Sequence, residues 1–134
     1  MTSTVAVLNQ KGGVGKTTVT LGLASAAWAS GLKTLVVDLD AQANATYALG
    51  VDPSLANLGT GDAIRANRAG AAAEMIVQSG WGQDIWLLPA AGDLTEREAD
   101  TRRDTSVGRL ARALEGVSDP VSYTHLTLPT ILLV

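Results

Sequence analysis

One run of residues constrains this chain more than any other: Lys11, Gly12, Gly13, Val14, Gly15, Lys16, Thr17 and Thr18. Before it lies a short, β-branched, apolar stretch from Thr4 to Asn9, the look of a buried parallel strand. After it, residues 16–30 contain no proline, and Val19, Leu23, Ala26 and Ala27 recur at helical spacing. Leu21, Ala24 and Trp28 cover much of the remaining circumference, which predicts a helix buried on more than one side. Gly31 then supplies a left-handed stop. Residues 34–38 read as a second buried strand, with Asp38 at its carboxyl end. Strand, glycine loop, helix and strand together span about 35 residues, the size of one right-handed crossover between parallel strands. The expected fold class is therefore α/β, a parallel sheet flanked by helices.

A loop of this composition is suited to phosphate for physical reasons. Glycines permit positive φ and close backbone approach, so successive N–H groups can point at one anion. The positive end of the following helix dipole lies behind them. Lys16 brings a charge to the β- and γ-phosphates of a nucleotide, and the Thr17 hydroxyl is placed to ligate Mg²⁺. The ordinary G-x-x-x-x-G-K-[ST] pattern would need glycine where Gln10 stands; instead Lys11 directly precedes two glycines. In this the chain resembles the deviant-Walker P-loop ATPases, the group of ParA-type partition ATPases, MinD, the nitrogenase iron protein and the arsenite-pump ATPase. The resemblance implies that residues Lys11, Gly12, Gly13, Val14, Gly15, Lys16, Thr17 and Thr18 bind ATP. It also implies that Lys11 reaches the partner's nucleotide in an ATP-dependent homodimer, and that Lys11 and Lys16 take part in catalysis.

Within that group the segment from Val37 to Thr46 is the more selective one. It resembles the switch I segment of partition ATPases, usually D-x-D-P-Q-G-N-A-T. Asp38, Asp40, Gln42, Asn44, Ala45 and Thr46 match, while Ala41 replaces proline and Ala43 replaces glycine. The resemblance implies that Asp40 orients the attacking water and that Asp38 helps hold Mg²⁺, as a carboxylate at the end of the strand beside the loop can. MinD carries no Gln-x-Asn-Ala-Thr after its aspartates, and the other two relatives depend on cysteines, which this chain lacks altogether. The partition type is thus the preferred reading. It implies ATP hydrolysis in chromosome or plasmid segregation, non-specific DNA binding as a dimer, and stimulation by a ParB-type activator. Localisation would be cytoplasmic, and nucleoid-associated with ATP bound. A MinD-like membrane-surface positioning ATPase and an inactive truncated fragment remain the alternatives.

Composition agrees with a cytoplasmic chain. The net charge of −3 and pI near 4.9 exclude a generally basic, nucleic-acid-coating chain, though not a local patch. No apolar run approaches the ~18 residues of a membrane span, and the N-terminus carries no charged leader or cleavage pattern. Further along, residues 43–49 predict a short helix, 51–60 a loop with a turn at Asp52 and Pro53, and 61–67 and 71–78 helices. Residues 85–89 predict a strand between Gly82 and Pro89. Thr95 and Glu98 fit a capping box. Residues 106–114 predict a helix with Val107, Leu110, Ala111 and Leu114 on one face. Arg102, Arg103, Arg109 and Arg112 form a basic cluster, read as a solvated helix face.

The last residues stand apart. All the glycines, all the alanines and every charged side chain lie within 1–119, and none lies in 120–134. Partition ATPases carry a Walker B strand, an apolar run ending in Asp-x-Pro-Pro, where this chain turns into 120–134. Ser122–Thr130 resembles a peptide translated from sequencing-adapter DNA, so His125 is given no role. The expected division is an N-terminal part of a ParA/MinD-like P-loop ATPase domain at 1–119 and a foreign tail at 120–134. The Walker B strand and C-terminal half would then be missing, leaving the first strand with an unpaired edge. Four residues after a proline, 131–134, make a poor substitute for that strand.

Overall fold

The computed structural model describes residues 3–9, 13, 15–82, 84–91, 94, 106–117 and 130–133. In chain order the elements are β1 (Ser3–Ala6), α1 (Lys16–Ala29), β2 (Thr34–Val37), α2 (Asn44–Ala48) and α3 (Thr60–Ala66). A 3-10 turn (Ala71–Met75), β3 (Val77–Gln78), β4 (Ile85–Leu88), α4 (Ser106–Ala113) and β5 (Thr130–Leu133) follow. The strands form one sheet in the order β1-β5-β2-β4-β3. The first four in that order run parallel, with Thr34 opposite Ile85 and Val37 opposite Leu88. β3 pairs antiparallel with β4, so the expected parallel sheet flanked by helices is present and is mixed at one edge.

Its centre is β2 and β4, and their apolar runs explain why. Side chains alternate between the two faces of a strand. Leu35, Val37 and Leu88 pack on one face against Ala63 of α3, Ala72 and Met75 of the 3-10 turn, and Ala113 and Val117 at the end of α4. Val36, Ile85 and Leu87 pack on the other against Ala24 of α1 and Ala45 and Leu49 of α2. Both faces are covered, which is what a near-continuous apolar strand requires.

The two ends of the sheet differ from expectation. β1 stops at Ala6 and is exposed along its whole length, with Val5 40% exposed, because it is the last strand and borders β5 alone. α1 buries only Thr20 and Ala24; Val19 and Leu23 stay 52% and 41% exposed. It lies against β2, β5 and α2, and among the described residues nothing covers its outer side. The gap expected beside β1 is filled: Thr130–Leu133 enters between β1 and β2, parallel to both. That strand contains no carboxylate residue. At the other edge, the helix expected over 71–78 ends at Met75. Ile76 is extended (φ −73°, ψ 132°), and the β-branched pair Ile76 and Val77 leads into β3 opposite Leu87 and Trp86.

The expected capping box at Thr95 and Glu98, Arg102, Arg103, His125 and residues 118–129 lie outside the described residues. Among the described residues no helix is long and apolar enough to cross a membrane.

Candidate functional site

The glycine loop delivers the start of α1 to a cleft of about 320 Å³ at the carboxyl ends of the parallel strands. Gly13, Gly15, Lys16, Thr17 and Thr18 line one side, and Asp40, Gln42 and Asn44 line the other. Gly13 and Gly15 are both left-handed, at φ 71° and 89°. A Cβ on either would meet nothing within 4 Å, so glycine is required here by backbone conformation rather than by crowding. Gly15 is the N-cap of α1, and neither a capping side chain nor an acidic residue claims the first-turn N–H groups. Those amides and the helix dipole are left to serve an anion. Lys16 reaches back from the first turn, its Nζ donating to the Asn9 carbonyl at 2.9 Å. Lys11, Gly12 and Val14 lie outside the described residues.

The opposite wall is built by the segment after β2. Asp40 Oδ1 accepts from the Gln42 amide at 3.0 Å, closing a tight Asx-type turn that fixes its carboxylate at the cleft. Ala43 then takes a left-handed conformation, φ 57° and ψ 28°, as the N-cap of α2. This accounts for the glycine usual at that place in the resembling motif: the position needs positive φ, which alanine adopts at a cost of roughly 1–2 kcal/mol.

Asp38 is placed differently from the sequence expectation. It is fully buried and does not line the cleft. Its Oδ2 accepts from the Thr46 amide at 2.9 Å and the Thr46 hydroxyl at 2.7 Å, and its Oδ1 accepts from the Asp40 amide at 3.0 Å. Burial raises its pKa above the ordinary 3.8, while the Thr46 and Asp40 hydrogen bonds pull the other way. The structure therefore brings Lys16, Thr17, Thr18 and Asp40 together and leaves Asp38 behind the wall. Among the described residues no group of three or more His, Cys, Asp or Glu side chains could hold a metal ion. The cleft-lining residues that carry hard oxygen donors are Thr17, Thr18, Asp40, Gln42 and Asn44.

Sequence reasoning matched Gln42, Asn44 and Thr46 as motif members but assigned them no task. It missed Thr60 altogether, whose hydroxyl donates to the Asp38 carbonyl at 2.7 Å across 22 residues of sequence. No local pattern marks that pairing.

A protein family described as AAA domain matches residues 2–129. The sporulation initiation inhibitor protein Soj of Bacillus subtilis is 32% identical over 126 residues, covering 93% of this chain and 49% of Soj. The chromosome partitioning protein ParA of Myxococcus xanthus is 31% identical over 126 residues, covering 93% and 44%. Among solved structures, cobyrinic acid a,c-diamide synthase from Mycobacterium smegmatis with bound ADP and magnesium superposes with TM-score 0.80. It is 32% identical, over 99% of this chain and 50% of that one. The chain thus spans about half the length of the relatives it matches.

Proposed function

This chain belongs to the AAA-domain family, in its ParA-type P-loop ATPase group, and from that membership we propose that it carries the nucleotide site of a partition ATPase. The observation that supports this best is the cleft itself. Two left-handed glycines, an uncapped helix start, Lys16, Thr17 and Thr18 line, together with Asp40, a space of about 320 Å³. That donor set fits ATP with Mg²⁺: amides and Lys16 for phosphate oxygens, the Thr17 hydroxyl for the cation. When bound, Mg²⁺-ATP supplies a phosphoryl group open to in-line attack by water. Lys16 neutralises charge on the β- and γ-phosphates, and Asp40 orients the attacking water. Lys11 and Gly12 to Gly15 complete the phosphate cradle, with Lys11 reaching a second copy's nucleotide.

On this reading the protein works as an ATP-dependent homodimer on non-specific DNA, in the cytoplasm and on the nucleoid, with a ParB-type protein stimulating hydrolysis. Its cargo is a chromosome or plasmid. Names of the Soj and ParA relatives favour this over a MinD-like membrane-positioning role. As part of the same proposal, residues 1–119 are the first portion of a longer ATPase domain and 120–134 a foreign tail. Sequencing the source DNA past codon 119 decides that point: a run ending in Asp-x-Pro-Pro supports it. The same tail followed by a stop overturns it and gives the family match through residue 129 its simplest cause.

The test of the site is nucleotide binding by a fluorescent ATP analogue, with hydrolysis followed in the parent protein. Lys16→Ala is expected to abolish binding. Asp40→Ala is expected to bind and not hydrolyse. Unchanged binding in the first variant, or normal turnover in the second, would refute the assigned roles.

A further inference from the structure

Among the described residues, Asp38 is the only charged residue that is fully buried, and the proposed chemistry does not use it in the cleft. We propose that Asp38 and Thr46 are positioning residues: together they buckle the segment carrying Asp40 to the loop after β4. The inference rests on the nucleotide reading only in taking Asp40 as the residue positioned.

One carboxylate grips both ends of the stretch from 38 to 46. Oδ1 holds the Asp40 amide at 3.0 Å, and Oδ2 holds the Thr46 amide and hydroxyl at 2.9 and 2.7 Å. The Thr46 hydroxyl in turn accepts from the Ala90 amide at 2.9 Å. A carboxylate accepts only and an amide N–H donates only. The group between them must therefore donate and accept at once, which a hydroxyl does and a methyl of the same size does not. The loop donating this bond is itself fixed to the start of α3. Thr60 N donates to the Pro89 carbonyl at 2.9 Å and Gly61 N to the Ala91 carbonyl at 3.0 Å. The Thr60 hydroxyl returns to the Asp38 carbonyl at 2.7 Å, closing a ring of hydrogen bonds around the wall of the cleft. Asp40, at one anchored end, and Asn44, between the two, line the cleft. Asp38 thus acts through the wall, not on the cation: its oxygens already accept three hydrogen bonds, which is what allows the carboxylate to be buried.

The test compares Thr46→Val, Thr46→Ser and Asp38→Asn with Thr17→Val in the full 134-residue chain. Two quantities are read: amide exchange at Ala90 and Gln42, and the gain in affinity for a fluorescent ATP analogue on adding Mg²⁺. Thr46→Val is expected to speed exchange at Ala90 by about tenfold or more. Gln42, whose amide is held by Asp40 and not by residue 46, is expected to speed up with it. Asp38→Asn is expected to follow Thr46→Val, and Thr46→Ser to retain protection. The Mg²⁺-dependent gain is expected to stay within about twofold of the unsubstituted chain in all three, and to vanish in Thr17→Val. Loss of the gain in Asp38→Asn with its retention in Thr46→Val overturns the proposal in favour of a metal ligand. Unchanged exchange at Ala90 in Thr46→Val overturns it too. Should Thr46→Val fail to fold, a folded and protected Thr46→Ser supports the hydroxyl's role, and an unfolded Thr46→Ser overturns it. If the unsubstituted chain shows no Mg²⁺-dependent gain, the nucleotide reading fails, and exchange at Ala90 alone decides the buckle.

Discussion

A methyl group added at Gly59 would strike the loop after β4 from below. Gly59 sits in extended backbone, φ −161° and ψ −157°, which any residue adopts, so the objection to alanine there is steric. A Cβ built on it overlaps the Pro89 carbonyl oxygen and lies 2.6 Å from the Ala91 nitrogen and 2.7 Å from the Ala91 Cβ. Two of those three atoms are backbone and have no rotamer to move to, so the chain itself must shift. The hydrogen bonds Thr60 N to Pro89 O and Gly61 N to Ala91 O, at 2.9 and 3.0 Å, span the same gap. Overpacking costs about 1–3 kcal/mol, and each lost hydrogen bond about 0.5–1.5 kcal/mol. Gly59→Ala is therefore expected to lose about 2–6 kcal/mol, a large part of the ~5–15 kcal/mol by which domains are stable. Urea unfolding at 25 °C, followed by the combined fluorescence of Trp28, Trp81 and Trp86, measures it, with the slope m showing whether the compactness of either state has changed. A loss under about 1 kcal/mol at unchanged m would show that the loop yields freely and that the ring around Asp38 is not rigid.

Three smaller predictions follow from single residues. Leu35, fully buried at the centre of the sheet, is expected to lose about 2–5 kcal/mol on truncation to alanine, read by the same urea midpoint; a loss near zero would mean the sheet centre collapses to fill the cavity. Ala43→Gly exchanges left-handed strain of about 1–2 kcal/mol for a glycine entropy cost of about 0.5–1 kcal/mol. It should raise the midpoint slightly, and a clear fall would show that the methyl's packing against Ala90 and Leu94 outweighs the strain. The Asp52 carboxyl is held below its ordinary 3.8 by hydrogen bonds from the Ser54 hydroxyl and amide. Its stabilising contribution is thus present above that value and fades as pH falls through the lowered one. Ser54→Ala should move the Asp52 titration, followed by carboxyl NMR shift, upward; an unmoved titration would place the effect on the amide alone.

What could be read in the chain before its structure was whatever is written within one turn or one loop. Gly13 and Gly15 at the mouth of α1, the apolar run of β2 and the paired aspartates all declare themselves through spacing of a few residues. The hydrogen bonds from Thr60 to Asp38 and from Ala90 to Thr46 join positions 22 and 44 residues apart, and no periodicity announces them. The burial of Asp38 is hidden for the same reason: a carboxylate at a strand end can face a cleft or a neighbouring helix, and its hydrogen bonds to Thr46 show which it does here. The exposure of α1 was equally hidden, because burial depends on which elements lie alongside, whereas apolar spacing reports only a residue's suitability for it. Over 71–78, alanine-rich sequence favoured helix, and the pairing of Val77 and Gln78 with β4 outweighed that preference.

The exposed position of β1 has a thermodynamic corollary. The glycine loop follows the one parallel strand that, among the described residues, has a neighbour on a single side, so holding the loop in shape and holding that strand in the sheet are linked processes. Linkage is reciprocal: if an anion binds at Gly13, Gly15, Lys16, Thr17 and Thr18 as proposed, whatever shelters β1 tightens that binding by the same factor by which the anion tightens the shelter. On that reading the affinity of the cleft depends partly on the outer flank of the sheet, at Val5, away from the residues that line it.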